Sequence, residues 1–185
     1  MGAYFFNSVL VTALALALLL VVALPASYVL SRFKFRGRRV LSVAFMGGLF
    51  INVNYIVVPI FLMLVDGNKG LASLMESLRV EEGSPVYNLF GNGFFLNNHF
   101  ILALVYASTA LPFTIYLLSS YFQTLPKDFE EAAYVDGSGY FHTMVKVIMP
   151  MAKPSIITVI LFNFLSFWNE YIIAMTLTSG DFQTL

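Results

Sequence analysis

An all-α, polytopic membrane fold is what this sequence predicts, and three observations predict it. Hydrophobic residues fill 59% of the 185 positions and charged residues 11%, with a mean hydropathy of +0.81, a balance that a water-soluble globule does not carry. Four apolar runs are each long enough to cross a bilayer. Of the ten basic residues, five (Arg32, Lys34, Arg36, Arg38, Arg39) and three more (Lys127, Lys146, Lys153) fall in two stretches between those runs. Such an excess of Lys and Arg holds a loop in the cytoplasm. The net charge is zero and cysteine is absent, so bulk attraction to nucleic acid, disulfides and thiolate metal sites are all excluded.

The first span covers about 7–30. From Asn7 to Leu30 there are 24 positions without a charge, or ~36 Å as a helix against a hydrocarbon core of ~30 Å. A cleaved signal peptide is the competing interpretation, since Ala23–Ser27 offers small residues near a cleavage point. The basic leader is missing, however, and positive charge follows the run, as after a stop-transfer segment. The Arg32–Arg39 cluster between two spans is a topology anchor that also pairs with lipid phosphates, rather than a nucleic-acid patch.

The second span, about 40–65, returns outward. Gly47 and Gly48 allow a close helix neighbour. Asn52, Asn54 and Pro59 interrupt its apolar face, so the amides are expected to face protein or a water-filled path. The segment 66–99 is then external, turn-rich and net acidic, with Gly67–Leu78 as a short surface helix and turns at GSP and GNG. The third span, about 100–122, carries the chain back in, with Pro112 expected to bend it. The fourth, about 155–178, holds Glu170, the only acid in a predicted span. At mid-bilayer it would cost ~2.5–3.5 kcal/mol, so it must be paired, solvated or protonated.

Between the third and fourth spans lies a polar island, with the loop taken as 123–154. Pro126 suits a first helical turn, and Asp128, Glu130 and Glu131 place negative charge at the positive helix end. Asp128 and Glu131 have capping-box spacing. Gly137 stands where a helix ends in a left-handed residue, and Ser138 can cap the next helix. Phe141, Met144, Val145 and Ile148 then recur on one face until Pro150 stops the helix. The island is therefore a helix-turn-helix presented to water at a membrane surface.

This stretch resembles the cytoplasmic EAA loop of importer-type ABC permeases: E-A-A, three residues, G, nine residues, then I-x-L-P. Glu131, Ala132, Ala133, Gly137, Val147, Met149 and Pro150 keep that spacing, with valine for isoleucine and methionine for leucine. TLPKDFEEAAYVDG, the upstream SRFKFRGRR and the downstream FLSFWNEY are similar to the carbohydrate permeases related to the maltose system. Relatives commonly carry a proline near Asn52, where this chain has none, and the external loop looks like a lineage-specific insertion. Relatives also have six spans, so four imply a chain truncated at both ends.

The resemblance implies a permease subunit of a bacterial ABC importer for a sugar or oligosaccharide, in the plasma (inner) membrane with its EAA loop cytoplasmic. It implies ABC ATPase subunits, a second permease subunit and an extracytoplasmic solute-binding protein as partners. The surface expected to dock the ATPase is Glu130, Glu131, Ala132, Ala133, Asp136 and Gly137. Asn52, Asn54, Trp168, Asn169 and Glu170 are the expected substrate path, since aromatic faces cover the C–H side of a sugar and amides bind its hydroxyls. Trp168 and Tyr171 fit an interfacial aromatic belt equally well.

Enzyme chemistry has no residues to stand on. There is no Walker A loop, so ATP falls to a partner. His99 and His142 lie on opposite sides of the membrane and share no metal or triad site, and no H-E-x-x-H occurs. No cofactor or metal is expected. An ion-coupled secondary transporter using Glu170, or a non-transporting membrane fragment, are the alternatives; neither accounts for the glycine-broken loop.

Overall fold

The computed structural model describes residues 2–78, 94–96 and 98–178. In chain order they form α1 (Gly2–Arg32), α2 (Arg38–Gly48), α3 (Val53–Ser77), α4 (His99–Thr124) and α5 (Asp128–Val135). Next comes α6 (Tyr140–Thr143), continued as a π turn over Met144–Ile148 and a last α turn at Met149–Met151; α7 (Lys153–Trp168) and α8 (Ile172–Leu177) close the order. Among the described residues no strand occurs. Three helical stretches among the described residues, Tyr4–Arg32, Tyr55–Ser77 and His99–Thr124, are long and apolar enough to cross a membrane, and the pair Tyr140–Met151 and Lys153–Trp168, bent by 77°, adds up to a fourth.

Two of the expected spans are broken. The run taken as 40–65 divides at Leu49–Asn52, and α3 continues to Ser77, through what was expected to be external loop and its separate helix at Gly67–Leu78. Paired glycines disfavour helix interiors by ~1 kcal/mol each. Here the chain tightens after them, with the Leu49 and Phe50 amides bonding Met46 and Gly47 carbonyls at 3.1 Å. The break needs no proline near Asn52. The run taken as 155–178 ends as helix at Trp168 and resumes at Ile172. The GSP and GNG turns lie outside the described residues.

The chain divides into two compact units, Met1–Ala15, Ile51–Tyr106 and Phe167–Leu185 in one, and Leu16–Phe50 and Ala107–Ser166 in the other. In the first, α8 packs against α3, and Val11, Ala15, Leu102, Ala103 and Ile173 are buried. In the second, Leu19, Ala23, Leu118, Phe122 and Val159 are buried. Gly48 supports close packing there, since a Cβ on it would lie 2.9 Å from Pro112 Cγ, whereas Gly47 faces open space. Helix α4 runs unbroken through Pro112.

One buried polar pair ties α4 to α7. Asn163 Nδ2 donates to Thr114 Oγ1 at 3.0 Å and to the Val159 carbonyl at 2.8 Å. Within a bilayer such a bond is worth about 0.6 kcal/mol on average and ~1.7 at most. Asn163→Leu should therefore lower resistance to detergent unfolding by about 1 kcal/mol. An unchanged unfolding curve would mean the pair contributes nothing.

Candidate functional site

The polar island folds into α5, a glycine turn and α6. At the start of α5 the Lys127 carbonyl accepts the Glu130 and Glu131 amides at 2.9 and 3.1 Å. No side chain caps this end, so the Asp128–Glu131 capping box does not form. The Glu131 amide that Asp128 would cap is already taken by the Lys127 carbonyl. Asp128, Glu130 and Glu131 do sit in the first turn, where the helix dipole favours negative charge.

The end of α5 is a Schellman motif. The Gly137 amide donates to the Tyr134 carbonyl at 3.0 Å and the Ser138 amide to the Ala133 carbonyl at 2.9 Å, with Gly137 left-handed at φ +82°. This geometry satisfies carbonyls that the helix end would leave orphaned, and only glycine adopts it without strain. Ser138 does not cap α6; Gly139 stands at that position. The Ser138 hydroxyl instead accepts a bond from Thr143 Oγ1 at 3.0 Å.

The face of α6 departs from the expected one. Met144 and Ile148 are buried and Val145 half-buried, but Phe141 is 75% exposed. A π turn at Met144–Ile148 inserts an extra residue into the winding and so shifts the phase. Its cause is one turn downstream. Pro150 has no amide to offer Lys146 and its ring crowds that carbonyl, which a wider turn relieves. Helix therefore continues through Pro150 to Met151, and the chain bends at Ala152 before α7 starts.

The island is fastened to the end of α1. Arg32, in the last turn of α1, donates from Nη2 to the Leu125 carbonyl at 2.9 Å. Its Nε lies 3.1 Å from Glu130 Oε1, with side-chain exposures of only 4% and 10%. The N–H points off the line of a hydrogen bond, so the attraction is that of two close, buried opposite charges. Edge-to-face rings run alongside, from Phe122 of α4 to Tyr28 of α1, Phe33, Tyr140 of α6 and Tyr134 of α5, at centroid spacings of 6.1, 5.8, 5.6 and 5.2 Å. Aromatic pairs in that geometry are worth ~0.5–1.5 kcal/mol each beyond their burial.

The six residues expected to dock a partner thus separate. Glu130 and Ala133 are buried, Glu130 against Arg32, while Glu131, Ala132, Asp136 and Gly137 are exposed. Glu130 is thus not on the exposed surface with the others; it lies buried against Arg32. Between α5 and α6 opens a cleft of about 520 Å³, lined by Ala133, Asp136, Gly137, Ser138, His142 and Val147. His142, Arg32 and the ring series carry no signal in one-dimensional periodicity. Arg32 was legible only as the first member of a basic cluster.

The expected substrate-path residues lie in the first unit. Asn52 is exposed at the α2–α3 break and Asn54 is in the first turn of α3. Trp168 ends α7 and meets Phe5 edge-on at 5.9 Å. Asn169 and Glu170 occupy the break before α8. There the Glu170 carboxylate accepts the Ile173 amide at 3.0 Å, and its carbonyl accepts the Tyr106 hydroxyl at 3.2 Å. So the acid in the apolar run serves a helix start, where orphan amides favour negative charge. The space between Ser8, Thr12, Tyr106, Phe167, Trp168 and Glu170 measures about 10 Å³, room for about one water.

Residues 11–185 match the family described as "Binding-protein-dependent transport system inner membrane component". The chain is 36% identical over 180 residues to the diacetylchitobiose uptake system permease protein NgcG of Streptomyces coelicolor, covering 97% of this chain and 51% of that protein. It is 27% identical over 177 residues to the trehalose/maltose transport system permease protein MalG of Thermococcus litoralis, covering 96% and 54%. A solved bacterial ABC transporter involved in import of the acidic polysaccharide alginate superposes with a TM-score of 0.74 at 27% identity, covering 98% of this chain and 54% of that one. The chain spans about half the length of the curated relatives it matches. With most of its length inside one family match and its helices in the arrangement of an importer permease, the chain belongs to the binding-protein-dependent transport system inner membrane components.

Proposed function

We propose that the chain is a permease subunit of a bacterial ABC importer that moves a sugar or oligosaccharide across the plasma membrane. ATP hydrolysis is performed by partner ATPase subunits, and a second permease subunit and an extracytoplasmic solute-binding protein complete the assembly. The observation that carries this reading is the Schellman-closed helix pair, which buries Glu130 and Ala133 while displaying Glu131, Ala132, Asp136 and Gly137. The displayed face offers small residues for close approach, two carboxylates for charge pairing and a cleft for a partner side chain. It faces the cytoplasm, together with the Arg32–Arg39 cluster. The names of the relatives, which concern diacetylchitobiose uptake and trehalose/maltose transport, favour a sugar as the solute.

On this mechanism, closure of the ATPase pair moves α5 and α6, and with them the spans they adjoin. Such switching requires each nucleotide state to prefer one geometry. Trp168, Asn169 and Glu170, with Asn52 and Asn54, are the residues assigned to the solute path. An ion relay at Glu170 is less favoured, because its carboxylate already holds the Ile173 amide.

The test is charge reversal at the displayed face. Glu131→Lys should reduce co-purification of the ATPase subunits about tenfold or more, since reversing one partner of an interfacial charge pair costs several kcal/mol. Full recovery would remove Glu131 from the contact, and absence of any ATPase beside the native chain would overturn the reading itself.

A further inference from the structure

We propose that Arg32 and Glu130 are force-transmitting positioning residues, which make the end of α1 part of the coupling element so that α1 and α5 move as one body. This rests on the docking reading above and adds to it a second route for the motion. By chain connection, α5 and α6 can pull only on α4 and α7, the helices they adjoin. The brace gives them α1 as well, across a sequence separation of 93 residues between Arg32 and Leu125.

Three observations carry it. The Arg32 guanidinium is engaged twice, by the Leu125 carbonyl just before α5 and by Glu130 within its first turn. That fixes both position and direction. Both charges are buried, with 4% and 10% of the side chains exposed. Parting them would strand an uncompensated charge away from water, so the contact resists opening while the helices move. The ring series lies beside the charges and joins α1 to both α5 and α6 through Tyr134 and Tyr140. Packed side chains of this kind transmit displacement because a close-packed interior compresses little. A surface ion pair would do none of this, being screened and easily exchanged for water.

The chain has no cysteine, so introduced thiols label cleanly. Val21→Cys on α1 and Lys127→Cys beside α5 are both at exposed positions outside the brace and the displayed face. Spin labels on the pair are measured by pulsed electron resonance in the lipid-reconstituted complex with its ATPase subunits, without nucleotide and with a non-hydrolysable ATP analogue. In the native background one narrow distance peak should appear and stay in place when nucleotide binds. Arg32→Gln should broaden that peak about twofold, or make it shift with nucleotide, because the Glu130 charge loses its partner. Arg32→Lys, which keeps a cation and a donor for both the Glu130 carboxylate and the Leu125 carbonyl, should keep the peak narrow and fixed, which a general loss of packing would not allow.

A native peak that moves with nucleotide, or an Arg32→Gln peak as narrow and fixed as the native one, would overturn the shared-body assignment while leaving the docking reading intact. Failure of the native chain to bring down any ATPase subunit would overturn both.

Discussion

Gly137→Pro should leave the chain in the membrane and abolish the coupling of ATP hydrolysis to solute uptake in the reconstituted complex. The native residue sits at φ +82°, and the proline ring holds φ near −65°. No rotation of neighbours reconciles the two. Proline also lacks the amide that bonds the Tyr134 carbonyl, so the Schellman closure and the angle from α5 to α6 are lost together. The alanine variant separates strain from crowding. Within the chain a Cβ at Gly137 meets nothing within 4 Å, so its cost to the fold is backbone strain, ~1–2 kcal/mol for an L-residue held left-handed. Coupling by Gly137→Ala should therefore be weakened and by Gly137→Pro destroyed, measured as ATP hydrolysed per solute transported. Native coupling in the proline variant would detach the turn from transport.

Glu130→Ala should lower the unfolding free energy of the chain by about 3–5 kcal/mol, the usual cost of stripping one partner from a buried ion pair. Gross attraction at ~4 Å is only ~4 kcal/mol at an effective dielectric of ~20. Most of the loss comes from leaving the Arg32 guanidinium without its counter-charge. Replacing both residues by methionine should accordingly cost less than removing Glu130 alone, since apolar packing carries no stranded charge. Thermal unfolding of the purified chain in mild detergent distinguishes the cases. If the double variant were the weaker of the two, the penalty would lie in lost packing or in the Leu125 bond.

Hydropathy read the helices well where the backbone is continuous and poorly where it is not. The run Asn7–Leu30 lies within α1, and the run Phe100–Phe122 within α4. Averaging over a window cannot register a break whose flanks are both apolar, as at Leu49–Asn52 and at Asn169–Tyr171. Gly137 was legible because a left-handed helix end excludes nearly every other residue. Glu130 was not. Three acids share one turn, and nothing local says which of them meets an arginine 98 positions upstream. Phe141 was placed on the wrong face because the expected winding assumed 3.6 residues per turn through a π turn. The cause, Pro150, stands in the sequence, but a proline in an apolar pattern reads as an end to a helix more readily than as a distortion within it.

Trp168 is the sole tryptophan of the chain, and it closes α7 beside the break, edge-on to Phe5. With excitation at the red edge, where the ten tyrosines do not absorb, the emission of the isolated chain is thus the optical signature of a single corner. An indole leaving an apolar niche for water emits at longer wavelength. A red shift upon addition of a sugar would report that this corner had loosened, with no dye attached.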